Sequence, residues 1–253
     1  MVKLSVVIIT YNEERNIERC LESVKDVADE IVVVDSISTD NTKAICTKFG
    51  VRFIEQPFLG YIEQKNYALT FATFDHVLSL DADEALSPEL ENSILKAKSD
   101  FTATGYTMSR FTNYCGKWIK HCGWYPDTKL RLFDHTKGKW GGINPHDQFF
   151  LEAGCTIKHL NGDILHYSYY TRDDHLRQVE RFTDIAAQAY YKAGKKPTFI
   201  KMWFSPVAKF FRDYFFNLGV LDGKAGFDIC VLSAKATYLK YRKLKALSRD
   251  HIA

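Results

Sequence analysis

The sequence predicts an α/β fold: a mostly parallel, Rossmann-like sheet flanked by helices, extended at its C-terminal end by further helices. Three observations predict it. Short β-branched runs alternate with helically periodic stretches through roughly the first hundred residues. Polar and acidic residues stand directly after those runs, where the ligand of a parallel sheet sits. After Arg172 the pattern is helical to the end.

Leu4-Ser5-Val6-Val7-Ile8-Ile9-Thr10 reads as a strand buried on both faces. Tyr11-Asn12-Glu13-Glu14 breaks it, and Ile17, Leu21 and Val24 then recur at helical spacing. Ile31 to Val34 is a second buried strand ending at Asp35, and Ser38 to Asn41 supplies capping residues for a short helix through Phe49. Val51 to Ile54 is a third strand, Gln64 to Phe71 a helix, and His76 to Leu80 a fourth strand ending at Asp81. Ser87-Pro88-Glu89 opens another helix with proline in its first turn. From Gly105 to His166 the texture changes. Short strand-like pieces (Tyr106 to Met108, Leu130 to Phe133, Ile164 to His166) alternate with Gly- and Trp-rich loops, as in a mixed sheet that shapes a second pocket. The expected division is residues 1–170 as a catalytic domain, with halves at 1–100 and 101–170, and 171–253 as a helical segment.

Composition bounds the function. With 253 residues, 46% hydrophobic and 26% charged, the chain can bury one sizeable core. A net charge of +3 gives no argument for nucleic acid as a partner. Six scattered cysteines without a CxxC pair read as free thiols of a reducing compartment; Cys115, His121 and Cys122 do not form a recognised zinc pattern. The apolar run Leu4 to Ile9 is too short for a signal sequence, and no stretch is long enough to span a bilayer. The expected place is the cytoplasm, or the cytosolic face of the inner membrane.

Asp81-Ala82-Asp83 carries the chemistry. Two carboxylates bracketing one residue at a strand end can share a hard cation, Mg²⁺ or Mn²⁺, and through it a diphosphate. Alone, the same triplet reads equally as a solvated turn. Asp35 can hold a base N–H or ribose hydroxyls, or merely cap its turn through Ser38. Tyr11 can stack on a base, with Glu13 beside it.

Together these residues resemble the inverting family 2 glycosyltransferases. The match runs in order through Thr10-Tyr11-Asn12-Glu13-Glu14, Val33-Val34-Asp35-Ser36 with Ser38 to Thr42, Gln64-Lys65-Asn66, and Asp81-Ala82-Asp83-Glu84. The stretch Gly60 to Asn66, Gly-x-x-x-Gln-Lys-Asn, resembles the lipopolysaccharide-core branch. The resemblance is strong over about 90 residues and weaker through Asp147 and Gly219 to Gly223. It implies a GT-A fold and a nucleotide-sugar donor, here a UDP-sugar. Thr10, Tyr11, Glu13, Asp35 and Ser36 would lie at the nucleoside, and Lys65 would face the diphosphate unless it is an ordinary surface lysine. Asp83 would be the direct metal ligand, with Asp81 nearer the ribose or sugar. His166 would complete the metal shell or serve the structure. The acceptor's base would be acidic: Asp147, in Pro145-His146-Asp147, with Glu84, Asp127 and Asp134 as competitors. The family usually carries His-Glu there, so His-Asp shortens the reach. The acceptor would be a glycan or lipid-linked glycan, in lipopolysaccharide or other cell-surface polysaccharide synthesis. The alternative is a non-catalytic nucleotide-sugar-binding or membrane-scaffold module.

In the last third, Phe199, Trp203, Val207, Phe210, Phe211 and Tyr214 recur at helical spacing. Lys235, Lys240, Arg242, Lys243, Lys245 and Arg249 crowd the final helix. This suits either an interfacial helix on an anionic membrane surface or a stripe packed on the catalytic domain. The oligomeric state is not legible.

Overall fold

The computed structural model describes residues 1–144 and 146–250; the side chains of His146, Arg249 and Asp250 lie outside that description. The expected strand–helix alternation is present. It runs β1 (Leu4–Thr10), α1 (Ile17–Val24), β2 (Glu30–Asp35), α2 (Thr42–Lys48), β3 (Arg52–Glu55), α3 (Tyr61–Leu69), β4 (His76–Asp81), β5 (Glu84–Leu86) and α4 (Pro88–Ser99). The mixed region follows as β6 (Gly105–Tyr114), β7 (Lys117–Trp118), β8 (Asp127–Asp134), β9 (Gly138–Ile143), β10 (His146–Leu151) and β11 (Ile157–Tyr169). Three α-helices close the chain: α5 (Arg172–Lys192), α6 (Phe199–Phe211) and α7 (Gly223–Asp250), with a π turn and a 3-10 turn between the last two.

Among the described residues the main sheet has nine strands, in the order β3-β2-β1-β4-β8-β6-β11-β5, with β7 on β6. β3, β2, β1 and β4 are parallel, and Thr10 lies opposite Asp35 while Ile9 lies opposite Asp81. This register brings three polar strand ends to one edge. β8 runs antiparallel to β4 and β6, and β5 antiparallel to β11.

Successive side chains of a strand leave opposite faces, and in β1 both faces are buried, with Ser5 the polar exception in its interior, its hydroxyl bonded to Glu30. Val6 and Ile8 pack with Ile17, Leu21 and Ile94 of α1 and α4, whereas Val7 packs with Ala68 and Leu69 of α3. The chain forms two compact units. One comprises residues 1–111, 127–142 and 146–167; the other comprises 112–126, 143–145 and 168–253, and its core joins α5 to α7 through Val179, Leu232 and Leu239.

Local chemistry moves some boundaries. Ser87 caps α4 by accepting the Leu90 N–H, as its position before proline suggests. Helix α3 begins at Tyr61, three residues before the expected start, because Gly60 enters it at φ 144. β5 was not foreseen: it is only three residues long, and its pairing with Ile164 to His166 of β11 makes it a strand. The expected Gly- and Trp-rich loop around Trp140 is instead a strand, β9, paired with β10. The Asn66 side chain holds it, accepting from the Trp140 N–H and donating to the Trp140 carbonyl.

One glycine is fixed by this packing. Gly162 lies in β11 at φ +95, and a Cβ there would sit 2.3 Å from the backbone nitrogen of Leu90. Gly162→Ala is therefore expected to destabilise the protein by about 2–4 kcal/mol through combined backbone strain and collision with the start of α4. Urea denaturation of the two proteins measures this.

Candidate active site

The carboxyl edge of β1, β2 and β4 gathers acidic side chains, and the way their charge is balanced defines the site. At the end of β4, Lys65 of α3 and Arg131 of β8 both reach Asp81. Lys65 Nζ lies 3.0 Å from Asp81 Oδ1, with its directed contact to Oδ2 at 3.4 Å; Arg131 Nη2 donates to Oδ2 at 2.9 Å. Burial works to raise the Asp81 carboxyl, but the two cations overcome it and hold Asp81 far below the usual carboxylate range.

Lys65 is 3% exposed, so the surface-lysine reading does not apply. It is shared: Nζ also donates to Asp147 Oδ2 at 2.8 Å, and it lies 4.6 Å from the centroid of the Trp140 ring. Arg131 Nη2 also donates to Glu84 Oε1 at 2.8 Å, and Arg110 reaches Glu84 at 3.3 Å and Asp127 at 2.7 Å. Glu84 is 1% exposed and accepts the Asp81 N–H as well. It braces the turn from β4 into β5.

Asp83 faces the other way. Its Oδ2 lies 3.1 Å from His166 Nε2, and its carbonyl accepts the Tyr167 N–H. Burial raises the Asp83 carboxyl and His166 more than offsets this, so it stays below its ordinary value. Among the described residues Glu13 makes no ion pair. Burial, then the charge of Asp83, push its carboxyl up to about 8, although Asn16 donates to it at 2.7 Å.

On the β1 and β2 side, Asp35 is buried and accepts from the backbone N–H and hydroxyl of Ser38, so it does cap its turn. The Ser36 N–H donates to the Thr10 carbonyl at 2.8 Å, and the buried Thr10 hydroxyl has no partner among the described residues. Tyr11 is 52% exposed, and Asn12 after it is left-handed at φ 54, bonded to the Ser38–Thr39 turn. Of the expected motif Pro145-His146-Asp147, Pro145 and the His146 side chain lie outside the described residues.

The donor set accommodates a hard cation. Among the described residues no three His, Cys, Asp or Glu side chains converge on one point. Mg²⁺ and Mn²⁺ sites of diphosphate-binding proteins use one or two protein ligands, with phosphate oxygens and water filling the rest. Asp83 and His166, 3.1 Å apart, match that number and chemistry, and Glu13, whose carboxyl burial and then the charge of Asp83 push up to about 8, interacts with the same Asp83. Asp81, already occupied by Lys65 and Arg131, is the less available ligand.

Arg131 and Arg110 are the members that sequence reasoning missed, and Trp140 is expected from the sequence only as part of a pocket-lining loop. A charged residue inside the apolar run Leu130 to Phe133 was the available signal for Arg131, because a buried strand tolerates one only against opposite charge.

Comparison with known proteins places the chain in a family. The family model described as Glycosyl transferase family 2 matches residues 5–160. The chain belongs to glycosyl transferase family 2. It is a glycosyltransferase, similar over nearly its whole length to proteins named as glycosyltransferases. An uncharacterized glycosyltransferase of Rickettsia bellii (strain RML369-C) is 32% identical, covering 97% of this chain and 87% of the relative. The lipopolysaccharide core biosynthesis glycosyltransferase LpsC of Rhizobium meliloti (strain 1021) is 30% identical, covering 95% of this chain and 91% of LpsC. A solved structure, glucosyl-3-phosphoglycerate synthase from Mycobacterium tuberculosis, aligns over 44% of each chain at 24% identity and a TM-score of 0.38.

In this transferase the Glu13 carboxyl makes a pH signature. A group whose folded value lies near 8 keeps a proton that the unfolded chain, near 4.3, has already released. Its contribution to stability is therefore complete in acid and is lost as pH rises through that window. In a chelator, Glu13→Gln should melt higher than the parent at pH 8.5, with the difference closing towards pH 4.5. Thermal melts across pH check it.

Proposed function

We propose that this family 2 enzyme transfers a sugar, with inversion, from a UDP-sugar to a hydroxyl of a glycan or lipid-linked glycan in lipopolysaccharide or related cell-surface polysaccharide synthesis, on the cytoplasmic side. The observation that carries the reading is the sharing of Lys65 between Asp81 and Asp147 at the same sheet edge that presents Asp83 and His166. The kinship with LpsC supports the acceptor class.

Asp83 and His166 would hold Mg²⁺ or Mn²⁺. The bound cation supplies charge neutralisation to the departing nucleoside diphosphate. The chain's own residues do the rest. Tyr11 covers the base, while Asp35, Glu13, Thr10 and Ser36 line the nucleoside side. Lys65 and Arg131 fix Asp81 toward the ribose or sugar, and Lys65 offers its ammonium to a diphosphate oxygen. Asp147 takes the acceptor's proton as its oxygen attacks the anomeric carbon opposite the leaving group.

Geometry favours Asp147 over its competitors. Glu84 is sealed under Arg131 and Arg110, Asp127 is held by Arg110 and Lys129, and Asp134 accepts the N–H and hydroxyl of Thr136. Asp147 is engaged only through Lys65, among its contacts within the described residues.

Two experiments test the reading. A panel of nucleotide sugars with and without Mn²⁺ should raise the melting temperature for a UDP-sugar only when metal is present, growing with the logarithm of donor concentration. Asp83→Ala should abolish that shift. Stabilisation without metal, or undiminished in Asp83→Ala, would refute the metal role. Asp147→Asn should keep the metal-dependent donor shift yet lower transfer to a core-oligosaccharide acceptor by about 10²-fold or more. Full transfer by Asp147→Asn would remove it as the base. A donor that binds but is never turned over, even by the parent enzyme, would instead favour a binding module.

A further inference from the structure

Helix α6 is apolar over most of its surface, interrupted by Lys201, Ser205 and Lys209. Met202 and Pro206 are buried, and Phe210 packs with Tyr114, Ile119, Ile229 and Cys230 in the core of the second unit. The opposite face stays largely exposed among the described residues, apart from Phe211 stacking on Phe215. Ile200, Phe204, Val207 and Phe211 follow one helical stripe and are 67%, 62%, 54% and 52% exposed, and beyond it Phe216 and Leu221 are 82% and 62% exposed. Soluble surfaces seldom display so continuous an apolar patch without a partner for it. Between α6 and α7 lies a cleft of about 450 Å³, lined by Met202, Trp203, Val207, Phe210 and Tyr238 among others, with Lys235 its one charged member.

Charge identifies the partner. Residues 185–249 carry thirteen Lys and Arg against three acidic residues, Asp213, Asp222 and Asp228, in a chain whose net charge is only +3. Lys209 and Arg212 are paired to Asp213, and Lys243 to Glu180 and Asp184. Lys196, Lys201, Lys224 and Lys235 are exposed and make no ion pair among the described residues. A second copy would bring the same positive charge against this one, and protein interfaces are depleted in lysine. An anionic bilayer offers hydrocarbon to the aromatic stripe and phosphate to the lysines around it. No helix of the described residues is long and apolar enough to cross a membrane, so α6 would lie on the surface.

We propose that α6 and the turns after it form a docking surface for an anionic phospholipid bilayer, with the α6–α7 cleft taking one acyl chain. This goes beyond the transfer reaction and rests on the second unit alone.

The test is flotation of the full chain, without metal or donor, with vesicles of phosphatidylcholine and phosphatidylglycerol at roughly seven to three. The parent protein should float with these vesicles and stay behind with pure phosphatidylcholine, and binding should fall about tenfold between low and high salt. Ile200→Glu with Phe204→Glu, and separately Lys196→Glu with Lys201→Glu, should each weaken binding about tenfold or more while melting as the parent does. Phospholipid brominated along its acyl chains should quench Trp203 fluorescence, read in a variant whose other three tryptophans are Phe. A parent that ignores anionic vesicles at low salt overturns the proposal, as do glutamate variants that float undiminished. So does a dimer that dissociates in Phe204→Glu without any vesicle binding. The UDP-sugar melting shift, measured on the same variants, should persist; its absence in the parent would sink the transfer reading and leave the lipid result standing.

Discussion

Negative charge at the edge of the parallel strands has to be balanced, and the arrangement of the first unit follows from how that is done. Glu13, Asp81, Asp83, Glu84 and Asp147 all belong to it, and Lys65, Arg131, Arg110 and His166 answer all but Glu13 through contacts of 2.8 to 3.3 Å. At an effective dielectric of about 20, unit charges 4 Å apart interact by about 4 kcal/mol. Loss of one buried cation would therefore leave its carboxylates both repelling one another and short of a solvation shell. Arg131 is the member on which most depends, since it joins the end of β4 to the first residue of β5 and so shapes the turn that carries Asp83.

Among the described residues Glu13 makes no ion pair with a Lys or Arg, and burial and then the charge of Asp83 push its carboxyl up. A carboxyl held near 8 is a group in search of a proton or a cation. Since Asp83 contributes to its displacement, positive charge placed beside Asp83 would relieve both. The electrostatics of Glu13 and Asp83 and the chemistry of a metal–diphosphate complex thus make the same demand.

The parts of this site that were legible from the sequence are those set by local pattern. A β-branched run followed by an acid fixes a strand end, and parallel register then brings Thr10, Asp35 and Asp81 to one edge without further information. The parts that were not legible depend on pairing across distance. β5 is a strand only because β11 lies beside it, and Trp140 stands in a strand because Asn66, some seventy residues earlier, satisfies both its backbone groups. Arg110 and Arg131 look like ordinary alternating residues of antiparallel strands until Glu84 is seen beneath them. For α6 the stripe was visible but its direction was not, since an apolar residue pattern does not say which side of an apolar helix meets α7.

Lys65 draws the two halves of the proposed reaction together. An ammonium has three protons to give, and in this structure it gives to Asp81 and Asp147 at once. On the proposed roles, an arriving diphosphate competes for the same ammonium with greater charge than either carboxylate. Any contact Lys65 shifts to the phosphate is drawn from its partners. Asp81 keeps its direct ion pair with Arg131, whereas Arg131 reaches Asp147 through its charge without an ion pair among the described residues, so the exchange falls chiefly on Asp147. A carboxylate that loses its counter-ion becomes a stronger base. Donor binding would in this way prepare the base for the acceptor, and an enzyme without a donor would keep that base neutralised by the lysine that later meets the leaving group.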